Sequence, residues 1–363
     1  MINLYFRFNI LIMKKLKFFL ILCLPLLLTA INYLKNENIL IDKYYSNGFY
    51  LYVSEKLRLL TYWINIPIGD LFYLLCFLLI FYFSLIKPKT IRLKLLNIGS
   101  LIFILTLLFY VLWGFNYKRV TIKNHLSIEG EFEKQELVNF TKKLIDKINK
   151  KHLELFLNQT LKPVNNYSFS ENVKISTKNI QNLETLFEGS IISYKYKYPS
   201  VKKSLFSLPL TYMGFSGYIN PFTNEANINY NIPASSQVFV INHEIAHQLG
   251  IASEKDANFI SFVMLVNSEN EYHKYCGLSY ALRLCLSEVS KIDMDQYKKL
   301  IGQVNEGIIQ DYIDINKFWK KYDGNIESIS KKTYDIYLKQ NSIDSGIKNY
   351  NESISLILNY KFL

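Results

Sequence analysis

The chain has 363 residues, and half of them are hydrophobic. This length suffices for a membrane anchor together with one sizeable domain. The net charge of +12 is uneven, because residues 1–120 carry 14 Lys and Arg against 4 Asp and Glu, whereas the rest of the chain carries 28 against 26. A nucleic-acid-binding protein needs a basic patch on its soluble part. The composition therefore argues against a nucleic-acid partner and indicates basic segments that flank membrane spans.

Three apolar stretches are long enough to cross a bilayer as helices. They are Phe18–Leu34, Ile68–Ile86 and Leu95–Gly114. Asp70, near the start of the second, is the one charged residue in these three stretches. The first stretch follows several lysines, as a cleaved signal peptide would, but no small-x-small cleavage site comes after it. With two further spans downstream, the sequence predicts an uncleaved anchor of three transmembrane helices within residues 1–117.

The distribution of Lys and Arg predicts the orientation of this anchor. Basic residues are dense before the first span, and four of them lie between residues 87 and 94, in the loop that joins the second and third spans. The loop of residues 35–67 is more dilute, with four basic and three acidic residues. The dense segments should face the cytoplasm, which makes residues 118–363 an extracytoplasmic domain at the cytoplasmic membrane. Lys118 and Arg119, just after the third span, are the exception to this pattern.

Hydrophobic periodicity after the anchor predicts a mostly helical α+β domain with a small β-sheet. The expected helices are Glu131–Phe156, Val238–Leu249, Ala257–Asn267, Glu271–Val289 and several within residues 293–363. Residues 216–220 and 226–231 flank a turn-rich segment and predict a β-hairpin. Its strand is either part of an ordinary core hairpin or an edge that can pair with an extended peptide. The spacing of Cys276 and Cys285 leaves open whether they form a disulfide.

The most specific chemical signal is the segment His243-Glu244-Ile245-Ala246-His247. Two His four positions apart lie about 6 Å apart along a helix, so both imidazoles can reach one metal ion. Zinc hydrolases combine such neutral imidazole ligands with an open coordination position and a nearby carboxylate that accepts a proton. We therefore expect His243 and His247 to bind zinc and Glu244 to act as the general base. The alternative is two unrelated surface histidines, but the chain contains only five His.

A third ligand must come from outside this helical turn, and Glu254 is the best candidate. On an unbroken helix, Glu254 would lie roughly 10 Å beyond His247 and could not share its ion. Gly250 can adopt a left-handed conformation, which ends the helix and lets the chain turn back toward the metal. Asp256 and Asn258 are the competing candidates. We expect Asn258 to orient a ligand imidazole instead.

These segments resemble a bacterial membrane-protein family, the domain of unknown function 3810. The resemblance covers most of the chain and is carried by Tyr44–Tyr50, Trp113–Tyr117, Gly217–Tyr218, Asn220–Thr223, Glu225–Asn227, His243–Gly250, Glu254, Ala257–Phe259, Tyr337–Lys339 and Gly346. Members of this family look like membrane-anchored HExxH proteins, and the family supplies no firm substrate.

The Glu-x-x-Ala-Asn piece that begins at Glu254 is similar to the Glu-x-x-Ala-Asp of membrane zinc peptidases, in which the Glu is the third zinc ligand. This similarity implies that His243, His247 and Glu254 bind zinc and that Glu244 is the base. The chain departs from that pattern in two ways: only six residues separate His247 from Glu254, and Asn258 replaces Asp.

Together these features predict a membrane-anchored zinc metallopeptidase of the gluzincin type, with a zincin-like domain. Its partners would be a protein or peptide substrate and the lipid bilayer. Two other classes of protein fit the same residues, namely a zinc hydrolase of a non-peptide bond and a non-catalytic membrane scaffold with a structural metal. Glu244 argues against the scaffold, because a structural site needs no base. Five residues are candidate oxyanion donors that the sequence cannot rank: Tyr212, Tyr218, Tyr230, Tyr272 and His273.

The orientation can be tested with reporters fused after Tyr117. Because the dense basic segments should stay in the cytoplasm, a reporter that is active only outside the cytoplasm should work at this position, and a cytoplasmic reporter should not. A signal from the cytoplasmic reporter alone would reverse the predicted orientation.

Overall fold

The computed structural model describes residues 2–34, 37–86, 90–126, 128, 132–181, 183, 196–341 and 350–360. These residues are mostly helical, with one small three-stranded sheet, as the sequence predicts. Helices α1 to α8 are Ile2–Leu34, Asn38–Leu40, Tyr50–Thr61, Ile68–Phe81, Ile91–Leu112, Ile122–His125, Lys134–Phe156 and Phe169–Asn179. Helices α9 to α16 are Ser207–Met213, Ala234–Gln248, Glu254–Val266, Glu271–Ile292, Met294–Ile301, Glu306–Tyr322, Asn325–Gln340 and Tyr350–Asn359. Strands β1 to β3 are Val201–Lys203, Gly217–Ile219 and Ala226–Ile228.

Three helices are long and apolar enough to cross a membrane. Their apolar segments are Lys15–Leu34, Ile68–Leu85 and Ile91–Leu112. These segments overlap the three predicted spans, and their ends differ from the predicted ends by at most four residues. The third of these helices stops at Leu112, and a 3-10 turn begins at Gly114. Helices α1 and α5 pack against each other.

The segment between the first two apolar helices differs from the predicted loop. It contains a π-helical stretch, Ile41–Phe49, which leads directly into α3. The side of α3 that carries Tyr50, Ser54, Arg58 and Thr61 is buried against the rest of the protein. Three of these four residues are polar, so the buried side of α3 has no apolar stripe that the sequence pattern could reveal.

The sheet has the order β1-β3-β2, which places β3 in the centre. Strands β2 and β3 are antiparallel, with Tyr218 opposite Asn227, which confirms the predicted hairpin. Strand β1 pairs parallel to β3, with Lys202 opposite Asn227. The sequence does not predict β1, because the strand has three residues and two of them are Lys.

The hydrophobic core surrounds α10, whose buried residues include Val238, Ile241 and Ile245. Helix α11 packs against α10 and α12, and α12 packs against α7. The predicted helices are present among the described residues, although α10 begins at Ala234 and α11 at Glu254, each about one turn earlier than expected. Residues 131, 342–349 and 361–363, also predicted to be helical, lie outside the described residues. Cys276 and Cys285 are buried free thiols on α12. Nine positions on one helix correspond to about 13 Å, which is too far for a disulfide.

Two buried charged side chains attach the start of α4 to the sheet. Glu225, the residue before β3, is fully buried and accepts a hydrogen bond from the backbone N–H of Ile68 at 3.2 Å. It also pairs with Lys202 of β1, which is 4% exposed. The Lys202 ammonium donates in addition to the carbonyl oxygen of Thr61 at 2.9 Å. Removing one partner of such a pair leaves an uncompensated buried charge. The corner between α3 and α4 is therefore held in one position on the sheet.

Candidate metal centre

Helix α10 breaks where the sequence predicts. It ends at Gln248, and Gly250 adopts the left-handed conformation with φ of 81°. The N–H of Gly250 donates to the carbonyl oxygen of His247 at 2.8 Å. The next helix then begins at Glu254, and its N-terminus is capped by the Ser253 hydroxyl. Glu254 thus comes back beside the turn of α10 that carries the two His.

The three expected ligands form one cluster. The Nε2 atom of His243 lies 3.2 Å from Oε2 of Glu254, and Nε2 of His247 lies 3.8 Å from Oε1. One donor atom from each of the three residues falls within 4.8 Å of the others. The competing Asp256 accepts a hydrogen bond from the backbone N–H of Ile122 at 3.2 Å. Of the two candidates, Glu254 is therefore the carboxylate that the fold brings to the His pair.

The two imidazoles differ in their surroundings. His247 Nδ1 lies 2.6 Å from the carbonyl oxygen of Ile251. A carbonyl oxygen can only accept, so Nδ1 carries the proton and Nε2 keeps its lone pair for a ligand. His243 Nδ1 is buried and has no hydrogen-bond partner among the described residues. Asn258 lies near His243, and a hydrogen bond from its side chain contributes to raising the pKa of His243.

The ionisation of His247 and of Glu254 suits a cation. Burial and the neighbouring His243 lower the pKa of His247 to about 4, so its ring is neutral at neutral pH. Burial raises the pKa of Glu254, but the hydrogen bond from His243 and the electrostatic interactions with both His side chains outweigh it and lower that pKa to about 2. For His243, burial lowers the pKa, and the hydrogen bond and charge of Glu254 more than offset this effect. A neutral imidazole and an ionised carboxylate are the forms that bind metal ions.

Glu244 lies beside the cluster in a dry environment. It is 3% exposed, and burial raises its pKa to about 8. Its Oε2 atom has no hydrogen-bond partner in the part of the chain that the structure describes. The Oε1 atom faces β2, where a Cβ on Gly217 would lie only 2.8 Å away. Glycine at this position therefore lets the carboxylate approach the edge strand.

Side chains from the first 120 residues hold the C-terminal end of α10. Tyr50 donates to the carbonyl oxygens of His247 at 3.4 Å and Gln248 at 3.2 Å. Arg58 also donates to Gln248 at 3.3 Å, and Arg119 donates to the carbonyl oxygen of Leu249 at 3.0 Å. These groups satisfy carbonyls that a helix end leaves without partners. The two guanidinium groups also complement the negative end of the helix dipole.

Tyr334 is a site residue that the sequence did not single out. Its hydroxyl donates to Oε1 of Glu254 at 2.5 Å. It lies on α15 together with Tyr337, whose hydroxyl is 3.2 Å from that of Tyr117. The one available signal was a pair of Tyr three positions apart on a helix near the C-terminus, 80 residues from Glu254. Such spacing is common in helices and does not indicate which residue Tyr334 contacts.

A groove of about 1210 Å³ passes over the cluster. It is lined by His243, Glu244, His247 and Glu254 and by many aromatic side chains. Tyr218 is the one of the five candidate oxyanion donors that lines this groove among the described residues. Its hydroxyl donates to Asp70 at the start of α4. The other four candidates lie elsewhere in the fold: Tyr212, Tyr230, Tyr272 and His273.

The cluster predicts how zinc binding responds to substitution. Glu254→Gln should lower zinc affinity by more than about 100-fold, beyond the effect typical of residues that only support a ligand, because a carboxylate donor is lost. Zinc content of the purified protein, measured by elemental analysis, tests this expectation. Asp256→Asn is the matched control and should keep one zinc per chain. Full occupancy in Glu254→Gln together with loss in Asp256→Asn would show that the other carboxylate is the ligand.

A second substitution tests the contact from α15. Tyr334→Phe removes one hydrogen bond to Glu254 without changing the ring, so zinc affinity should fall by about 10-fold, as is typical when the partner of a ligand is lost. Competition with a zinc chelator measures the change. Tyr337→Phe, on the same helix, should have a clearly smaller effect. Equal affinities of the Tyr334→Phe variant and the unmodified protein would contradict a role of this hydroxyl in holding the carboxylate.

Comparison with known proteins places the chain in a family. Residues 45–358 match the family model described as a protein of unknown function, DUF3810. No curated protein and no solved structure matches the chain. The matched region covers the metal cluster, the sheet and two of the three apolar helices. The chain therefore belongs to the DUF3810 family.

Proposed function

We propose that the protein is a membrane-anchored zinc metallopeptidase of the gluzincin type, with a zincin-like domain. The observation that carries this proposal is the meeting of His243, His247 and Glu254, whose donor atoms lie within 4.8 Å of one another. Two imidazole nitrogens and one carboxylate oxygen are a donor set of catalytic zinc sites, and they leave a coordination position open. Zinc bound there would supply Lewis-acid chemistry, lowering the pKa of water and polarising a carbonyl group.

Glu244 is the proton carrier in this proposal. Its carboxylate is buried beside the cluster, and its Oε2 atom has no partner among the described residues. A general base works best with a pKa near the pH of the reaction, and burial raises the pKa of Glu244 toward that range. Glu244 takes a proton from the water that attacks the scissile carbonyl carbon. It then delivers this proton to the nitrogen of the leaving amine, so that the peptide bond breaks.

Strand β2 supports a peptide rather than another substrate. Among the described strands it lies at an edge of the sheet, since β3 pairs with it on one side. Gly217, Tyr218 and Ile219 of this strand line the groove beside Glu244. An extended peptide can add to such an edge through main-chain hydrogen bonds. This pairing would position a scissile bond between the strand and α10.

The three apolar helices support membrane anchoring. We propose that they span the cytoplasmic membrane, with the N-terminus inside and the metal centre outside the cytoplasm. The observations behind this are the length and hydropathy of the helices and the dense basic residues before the first span and between residues 87 and 94. Arg119, an exception to the charge pattern, is mostly buried, because its guanidinium binds the end of α10 and lies 3.6 Å from Asp42.

The proposal can be tested with Glu244→Gln. This substitution keeps the shape of the side chain but removes its ability to accept a proton. Because Glu244 is not a ligand, zinc content and folding should be unchanged, whereas loss of a positioned general base should slow peptide hydrolysis by about 10² to 10⁴-fold. The assay incubates the protein with a degenerate peptide mixture and measures new termini by mass spectrometry.

Glu136→Gln, on the exposed face of α7, is the matched control and should retain full activity. Cleavage by Glu244→Gln at the unmodified rate would remove the base from the mechanism. Zinc binding without hydrolysis by the unmodified protein would favour the scaffold, or a hydrolase of another bond.

A further inference from the structure

We propose that the substrate is a membrane-anchored polypeptide, cut in the short segment that follows its own membrane span. This inference rests on the proposed peptidase activity and names the class of substrate for the same site. Three observations support it. The metal cluster lies near the end of an apolar helix, the polarity of the groove lining changes along the groove, and hydrogen bonds attach the groove wall to α4.

The metal cluster lies beside the end of an apolar helix. The ring of Trp113 is 6.0 Å from the ring of His247, measured between centroids. Trp113 directly follows Leu112, the last residue of the third apolar segment. The donor atoms of His243 and Glu254 lie within 4.8 Å of that of His247, so the residues that would hold a metal ion are all close to Trp113. Trp at the end of a membrane helix typically marks the interface between lipid and water. The reaction would therefore take place close to the surface of the bilayer.

The groove changes from apolar to charged along its length. At one end it is lined by Tyr73 and Phe109, which belong to the second and third apolar segments. Phe222, in the turn between β2 and β3, also lines this end, and its ring packs against that of Tyr73 at 6.2 Å. At the other end the lining includes Arg283 and Lys291 of α12.

Helix α10 connects the two ends. Near its start, the Ser235 hydroxyl donates to Asp311 at 3.0 Å, and both residues line the charged end. His247 follows twelve positions later, which corresponds to about 18 Å along the helix. A chain that leaves a bilayer presents apolar residues first and polar residues afterwards. The lining of the groove has the same order, starting from the apolar helices.

Hydrogen bonds hold the wall of the groove in a fixed position relative to the apolar helices. Asp70, three residues into the second apolar segment, is fully buried. It accepts hydrogen bonds from the Ser204 hydroxyl at 2.9 Å, from the backbone N–H of Leu205 at 2.6 Å and from the hydroxyl of Tyr218. Since Tyr218 belongs to the groove wall, one carboxylate joins that wall to the start of α4. The opening toward the bilayer is therefore a fixed feature of the fold.

These distances limit where the substrate is cut. An extended chain advances about 3.3 Å per residue. A chain that emerges next to α4 and α5 would thus reach the metal cluster after only a few residues. The expected scissile bond lies within about 10 residues of the end of the substrate's membrane span.

The experiment uses the full-length protein reconstituted in phospholipid vesicles. One degenerate peptide library is presented in three forms: joined directly to a transmembrane helix, joined to the same helix through a flexible Gly/Ser spacer of about 40 residues, and free in solution. Both helix-bound forms are confined to the membrane equally, so the spacer tests position rather than confinement. Glu244→Gln protein serves as the blank for each form.

We expect the directly joined library to be cut at least about 10-fold faster than the other two, since binding at short range raises the effective concentration at the site. Its new termini should map within about 10 residues of the helix. Equal rates for the direct and spaced libraries, or faster cleavage of the free library, would overturn this inference and leave the peptidase proposal standing.

Absence of any cleavage that depends on Glu244 would overturn the peptidase proposal and this inference together. Hydrolysis of the vesicle phospholipid, with all peptides intact, would assign the groove to a lipid and would also overturn both.

Discussion

The C-terminal end of α10 is held by side chains that flank the apolar helices, and the geometry of the metal centre depends on this attachment. Tyr50, Arg58 and Arg119 together bind the last carbonyl oxygens of the helix. The chain can turn immediately afterwards only because Gly250 has no side chain, since a Cβ there would lie 2.8 Å from the ring of Tyr50. The positive φ of Gly250 is also strained for any other residue. Without this turn, α10 would continue and carry Glu254 away from the His pair.

Buried charges specify this arrangement more than they stabilise it. Moving ions out of water is costly, so a buried pair often adds little net stability, whereas losing one partner typically costs about 3–5 kcal/mol. Lys202 and Glu225 form such a pair, and Arg58 is a buried cation that binds Asn224 at 2.7 Å. Any other placement of α3 and α4 on the sheet would leave these charges without partners. The free-energy cost of leaving these charges unpaired therefore fixes the position of α3 and α4, and with it the place where the apolar helices meet the metal centre.

The sequence predicted those parts of the protein that depend on local pattern. Apolar length identified the three long helices, turn residues identified the hairpin, and one glycine explained how Glu254 could join the His pair. The sequence did not predict α3, because its buried side is polar and is satisfied by distant backbone groups, as with Arg58 and the carbonyl of Lys197. It also missed β1, whose Lys202 can be buried because its ammonium pairs with the carboxylate of Glu225. Tyr334 was not predicted for a similar reason, since its role arises from a contact with Glu254, 80 residues away in the chain. Long-range polar contacts leave no periodic signal along a single chain.

The packing crosses the predicted boundary at residue 117. Tyr50 and Trp113 lie on the N-terminal side of this boundary, with their rings 5.8 Å apart, yet they form one apolar cluster with Ala252, which follows α10. The segments that contain Tyr50 and Trp113 are among those that carried the family resemblance. Tyr50 also donates a hydrogen bond to His247, which is 197 residues away in the chain. A soluble fragment that began after residue 117 would lack Tyr50, Arg58 and Arg119's partner Asn47, which accepts at 2.8 Å. The carbonyl oxygens of His247 and Gln248 would then lose these side-chain donors, and the turn at Gly250 would lose the support of Tyr50 and Arg58. The segments that flank the apolar helices are therefore part of the structure around the His–Glu cluster, and their packing and the geometry of the cluster are coupled through the same contacts.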